Sequence, residues 1–133
     1  MKAVSRYRAP PAAVALTVLF LLTPCLLRGE QIDTVDQTVL HLIDHVAESG
    51  LTFIRSNVSY TAAEAARHMN KKFQHFRKDI NTAEDFIERC ASRSLLSGKA
   101  YLVINEQNEQ VRTSEWLELE LADYRERNTG ATQ

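Results

Sequence analysis

Two helix starts in series, followed by a serine-glycine stretch that leads into an apolar strand, constrain this chain more than any other feature. The first reads Tyr60-Thr61-Ala62-Ala63-Glu64. There the Thr61 hydroxyl can accept the Glu64 amide while the Glu64 carboxylate reaches back to the Thr61 amide. The second reads Thr82-Ala83-Glu84-Asp85-Phe86-Ile87, with a threonine cap and two acids in the first turn, at the positive end of the helix dipole. Ser97-Gly98 then marks a turn, and Ala100 to Ile104 is the strand-like run, carrying Tyr101, Val103 and Ile104. Punctuation of this kind implies short helices with tight connections.

Apolar spacing fills in the remainder. Val35, Val39, Leu42, Ile43 and Val46 recur at three- and four-residue steps, which predicts a helix from about Asp33 to Ser49, with Gly50 just past its end. Leu51 to Tyr60 reads as an irregular connector in which Phe53 and Ile54 dip back toward the core. The second helix runs from Thr61 to about Lys78 with Ala62, Ala65, Met69, Phe73 and Phe76 inward. The third starts near Ala83 and frays near Ser94, with Phe86, Ile87, Cys90 and Ser94 on one face. Asn105 to Gln110 turns the chain so that Val111 pairs back. Thr113 or Ser114 then caps a last helix striped by Trp116, Leu117, Leu121 and Tyr124. The expectation is a mainly α fold: a small four-helix domain with a short two-strand β element between helices 3 and 4. Residues 30–127 make this single domain, 128–133 are a frayed polar tail, and Leu42, Phe73, Phe76, Phe86 and Trp116 share one core.

The first 29 residues have the layout of a signal peptide. Lys2, Arg6 and Arg8 form a basic head, and the apolar run from Ala12 to Leu22, continued past Pro24 to Leu27, is short for a membrane span. Export to the periplasm or beyond is expected, with cleavage before about Glu30 and no stable anchor afterwards. The alternative is a lipoprotein joined through Cys25, although Pro24 fits a lipobox poorly. Without residues 1–29 the chain keeps 12 Lys and Arg against 17 Asp and Glu, a formal charge of −5. That balance disfavours nucleic acid as a partner, since phosphate binding rests on clustered bases. Only Cys90 then remains, so no internal disulfide forms, and its place on the inward face predicts a buried thiol, the alternative being an intermolecular disulfide or a reactive nucleophile.

Few residues present themselves for chemistry. His41, His45 and Glu48 share a helix face at metal-ligand spacing, a weak candidate site on a face expected to be solvated; no other metal or cofactor is implied. Glu64, His68 and Lys72 repeat at four-residue steps, so each neighbour influences the proton on His68. Ser92, Ser94 and Ser97 lack the glycine-flanked elbow of a serine nucleophile. Asn57-Val58-Ser59 matches a glycosylation acceptor, which matters only in a eukaryotic secretory pathway.

Taken together, Phe53-Ile54-Arg55, Tyr60, Glu64-Ala65-Ala66 with His68 and Lys72, Thr82 to Ile87, Ala91-Ser92 with Ser94, Ser97-Gly98, Tyr101 and Trp116-Leu117 resemble the YfeK-like family of small exported bacterial proteins of unknown function. The resemblance implies a periplasmic setting and carries no established activity. One departure is that Ser56-Asn57 stands where the family has Asn-Gly, a turn that Asn57 can sustain because asparagine tolerates positive φ. The favoured reading is a non-enzymatic binding protein for an envelope protein or small ligand, with Arg55, Tyr60, His68, Lys72, Ser92, Ser97 and Tyr101 as its candidate patch. The alternative is a small hydrolase or transferase with His68 as base and Ser92 or Ser97 as nucleophile.

Overall fold

The computed structural model describes residues 34–131, so the signal-like segment, its cleavage point and Cys25 lie outside the described residues. Helix α1 spans Val35–Glu48, opened by a capping box in which Thr34 and Gln37 each satisfy the other's backbone amide. It buries Val39, Leu42, Ile43 and Val46, and Gly50 ends it with a φ of 65°. Helix α2, Ala62–Phe76, starts at the expected Thr61–Glu64 box and finishes in a 3-10 turn at Arg77–Asp79. Helix α3 has a regular portion of only four residues, Ala83–Phe86, opened by a box between Thr82 and Asp85. It then widens into a π-helical turn over Ile87–Ala91, with Phe86, Ile87, Cys90 and Ala91 all buried. Helix α4 runs Thr113–Gly130, past Asn128, and is preceded by Arg112 in extended conformation rather than by a side-chain cap.

The β structure overturns the two-strand expectation. Strands β1 (Thr52–Arg55), β2 (Val58–Thr61), β3 (Leu102–Ile104) and β4 (Gln110–Arg112) form one antiparallel sheet in the order β2-β1-β3-β4. The supposed connector from Leu51 to Tyr60 is therefore a hairpin, and β1 is a central strand paired on both sides. Its turn is two residues, Ser56 and Asn57, both with positive φ at 51° and 67°. This is the backbone that a tight hairpin needs, built without the Asn-Gly pair that advertises it. Asn57→Gly should accordingly raise stability by about 0.5–1 kcal/mol, read as a higher denaturant midpoint at constant slope. An unchanged or lower midpoint would show that the Asn57 side chain compensates for its backbone.

Opposed residues of an antiparallel sheet share a face, so Tyr60, Phe53, Val103 and Val111 form one row across all four strands. Phe53 and Val103 belong to the same core as Leu42, Phe73, Phe86 and Leu117, so the helices cover this face. Phe76 and Trp116, expected in the core, pack against its edge half-buried. On the opposite face Ile54 and Leu102 are half-buried and Ser59 and Arg112 exposed. Arg55 lies two residues beyond Phe53, on the same side of β1, which aims it along the helix-covered face toward α2.

Candidate functional site

At the hairpin end of that face a cleft of about 240 Å³ opens between β1, β2 and α2. Phe53, Ala65 and Met69 give it apolar walls, while Arg55, Tyr60, His68 and Tyr101 supply its polar groups. Arg55 is half-buried, with Nη1 3.1 Å from Nδ1 and 3.0 Å from Nε2 of His68, and Nη2 donates to the Tyr60 hydroxyl at 3.4 Å. Its guanidinium also stands 5.1 Å from the centre of the Tyr60 ring. His68 Nε2 lies 3.3 Å from the Tyr101 hydroxyl. An imidazole protonated on Nε2 satisfies both neighbours, leaving the Nδ1 lone pair for Arg55 and an N–H for Tyr101.

Backbone bonds hold Tyr101 in place. Its amide donates to Ser92 O at 2.9 Å, and its carbonyl accepts from the Thr113 amide at 3.0 Å, so the residue is clamped between the end of α3 and the start of α4. Beneath it Lys72 is only 7% exposed, a long side chain that covers apolar surface as its place on α2 suggests. The ammonium donates to Arg93 O at 3.3 Å and sits 5.2 Å from the Tyr101 ring centre. Among the described residues neither Arg55 nor Lys72 has a carboxylate at ion-pair distance. Glu64, on the rim, is engaged by the amide and hydroxyl of Thr61.

Protonation follows this geometry. Burial holds His68 below the ordinary histidine pKa, and the positive charges of Arg55, Lys72 and Lys71 push the same way. Burial likewise lowers Lys72, against the partial opposition of Cys90, and raises the Tyr101 phenol against Arg55. Cys90, fully buried, has its thiol pushed up to about 11 by burial, which makes it an unreactive core residue.

Five residues of the sequence-derived patch thus meet: Arg55, Tyr60, His68, Lys72 and Tyr101. The two serines do not join them. Ser92 donates to Ile87 O at 2.9 Å and faces Glu88, and Ser97 pairs with Ser56 at 3.1 Å. His68 has Arg55 and Tyr101 as its hydrogen-bond partners, and no described hydrogen bond joins it to a serine. The hydrolase alternative therefore lacks the base–nucleophile contact that it requires.

His41 and His45 also find an unforeseen partner. Glu120 of α4, rather than Glu48, accepts from His41 Nε2 at 2.7 Å and lies 3.6 Å from His45 Nδ1, while Arg127 reaches the same carboxylate at 2.8 Å. The rings are shelved on α4, His41 stacking on Tyr124 at 4.1 Å and His45 tilting against Trp116 at 4.6 Å. Among the described residues no group of three His, Cys, Asp or Glu side chains is placed to hold a metal ion. The i, i+4 spacing of the histidines signals a shared face, but nothing in the sequence says which distant acid meets it.

A small α+β domain whose sheet and second helix enclose a cationic, tyrosine-lined cleft is the class that this geometry defines. The chain belongs to a family of unknown function, DUF5329, whose model matches residues 33–125. It is 42% identical over 51 residues to the uncharacterized protein YfeK of Salmonella typhimurium strain LT2, an alignment that covers 38% of this chain and 42% of that relative. No solved structure matches the chain.

Proposed function

We propose that this is an exported, non-enzymatic binding protein that takes an anionic group, a carboxylate or phosphate, in the cleft around Arg55 and His68. The observation that carries the reading is Arg55, a half-buried guanidinium among a neutral imidazole and two phenols, with no carboxylate at ion-pair distance among the described residues. Natural proteins pair cations removed from water, and an anion arriving here gains a bidentate donor that is already positioned. Tyr60 and Tyr101 add hydroxyls, and the apolar wall suits a ligand with an apolar body next to its charge. The cleft is smaller than the roughly 300–1,000 Å³ of drug-sized sites, which favours the end of a larger molecule over a whole metabolite. Export rests on the basic head at Lys2, Arg6 and Arg8 and the apolar run after it.

The test uses the protein released by osmotic shock, after its intact mass has been read. A mass that begins near Glu30 is expected, and recovery of the full-length chain solely in membranes would overturn export. Titration with inorganic phosphate and with acetate should then shift the NMR signals of His68 and Tyr60. Arg55→Ala should weaken binding about tenfold or more, the equivalent of about 1.4 kcal/mol. Binding that survives Arg55→Ala unchanged, or no response to either anion, would remove the anion from this cleft.

A further inference from the structure

Strand β2 is an outer strand of the sheet, and among the described residues it pairs with β1 alone. The two-residue turn makes Arg55 and Val58 the closing hydrogen-bonded pair of the hairpin, and alternation makes Phe53 and Tyr60 the next. The amides and carbonyls of Ser59 and Thr61 therefore point away from the sheet. Those of Thr61 are engaged, since its amide donates to the Glu64 carboxylate at 2.9 Å and its carbonyl opens α2. Ser59, an exposed residue, keeps an outward N–H and C=O. A bare edge invites pairing, so proteins blunt it with charge, proline or a covering segment. Val58-Ser59-Tyr60-Thr61 contains neither charge nor proline, whereas β4 at the other edge carries Arg112, with Glu115 at 3.9 Å.

This open edge borders the Arg55 cleft. Tyr60 lines the cleft from β2 itself, and β2 runs into α2 without a loop, so strand and helix diverge from Thr61 with the cleft between them. Val58, opposed to Arg55 and so on its face of the sheet, adds an apolar side chain that is 52% exposed. Charges on the lining are few. Glu64 and Arg67 are of opposite sign and offset each other, and Lys72 is buried beneath Tyr101, outside the lining. His68 is neutral, which leaves the single charge of Arg55. One guanidinium matches a carboxylate in charge as well as in its planar fork, whereas a terminal phosphate, with about two charges, would bring one without a partner. The strand edge selects further, because a polypeptide supplies amides and carbonyls at the spacing that Ser59 needs. Its α-carboxylate continues directly from that backbone, next to the last side chain. We infer that the cleft receives the C-terminal residue of another polypeptide. The carboxylate meets Arg55, an apolar side chain lies on Phe53, Ala65 and Met69, and the residues before it pair with Ser59 along the free edge of β2. Such a partner presupposes the anion-binding reading above and narrows it to one class of ligand.

The probes are acetyl-trialanyl-leucine and acetyl-trialanyl-phenylalanine, each as free acid and as C-terminal amide, with acetyl-leucine, acetate and inorganic phosphate beside them. Titrated into the osmotic-shock protein, the free acids should bind about tenfold or more tighter than their amides, which bring no charge to Arg55. They should exceed acetyl-leucine, an end without a strand, by about tenfold or more, and slow hydrogen exchange at the Ser59 amide by a like factor. Acids and amides that bind alike overturn the C-terminal carboxylate. Tetrapeptides no tighter than acetyl-leucine, with the Ser59 amide unprotected, overturn the strand pairing. Tighter binding of inorganic phosphate than of either peptide overturns the polypeptide end in favour of a phosphorylated partner. Peptides that fail while acetate still shifts the His68 signals overturn this partner and leave the anion reading standing. Silence from every probe removes both.

Discussion

Phe86→Ala is expected to destabilise the domain by about 3–5 kcal/mol, a large part of the roughly 5–15 kcal/mol that holds a domain together. Phe86 is wholly buried and meets Phe73 edge-to-face, the ring centres 5.8 Å apart. It sits where α3 passes into its π-helical turn, so its neighbours Ile87, Cys90 and Ala91 are held from both sides and cannot close the void easily. The cost therefore includes a cavity as well as lost transfer energy. At about 4–8 °C per kcal/mol for a domain this small, the midpoint should fall on the order of 20 °C by calorimetry. Leu119→Ala, at a residue 70% exposed on α4, should leave it within a few degrees. A Phe86→Ala midpoint close to wild type would mean that the α3–α2 contact is not the centre of the core.

The helix starts were legible because each is a local device. Threonine followed three residues later by an acid or amide makes its own hydrogen bonds wherever the chain goes, and Thr61 and Thr82 cap as their sequence implies. Leu42, Phe73 and Phe86 reached the core as their spacing implied, whereas Phe76 and Trp116 ended at its edge. The sheet was only half legible because its pairings are distant. β1 acquires β3 as a neighbour across some fifty residues of sequence, and its own hairpin turn uses Ser56-Asn57, a weak signal for positive φ. With four-residue strands, alternation is too brief to separate Thr52–Arg55 from a loop. The cleft inherits the same limit. His68 and Lys72 could be placed on one helix face from their spacing, but Arg55 and Tyr60 reach them only because the missed hairpin turns both side chains to the covered face. Ser92 and Ser97 stood close in sequence to Tyr101, yet each closes its own turn.

No motif or spacing singles out Glu120, and Glu120→Gln is expected to lower stability at neutral pH by about 1–2 kcal/mol. The change keeps the shape and removes the charge from an acceptor shared by His41 and Arg127, with His45 close by. The low end of the hydrogen-bond range applies because Arg127 is itself 56% exposed. The pH profile carries the more specific signature. Burial raises the Glu120 carboxyl, but the hydrogen bonds from His41 and Arg127 outweigh it and hold the pKa below its ordinary 4.5. A carboxylate depressed by folding contributes stability above its unfolded pKa and loses it as pH falls through the folded value, so the wild type should weaken below about pH 4.5 on this account. His45 and His68 are also depressed, by burial first, from 6.5. Unfolding lets both take up a proton more readily, so each removes stability as pH drops from about 6.5 toward its folded pKa. Glu120 partly opposes the burial of His45, so without it that imidazole should be harder still to protonate in the fold. Glu120→Gln should therefore lose stability more steeply than wild type as pH falls from about 6.5 toward the folded His45 pKa, and less steeply below about 4.5. Urea midpoints at half-unit pH intervals would read both slopes, and parallel profiles for the two proteins would show that the α1–α4 cluster does not couple these protons to folding.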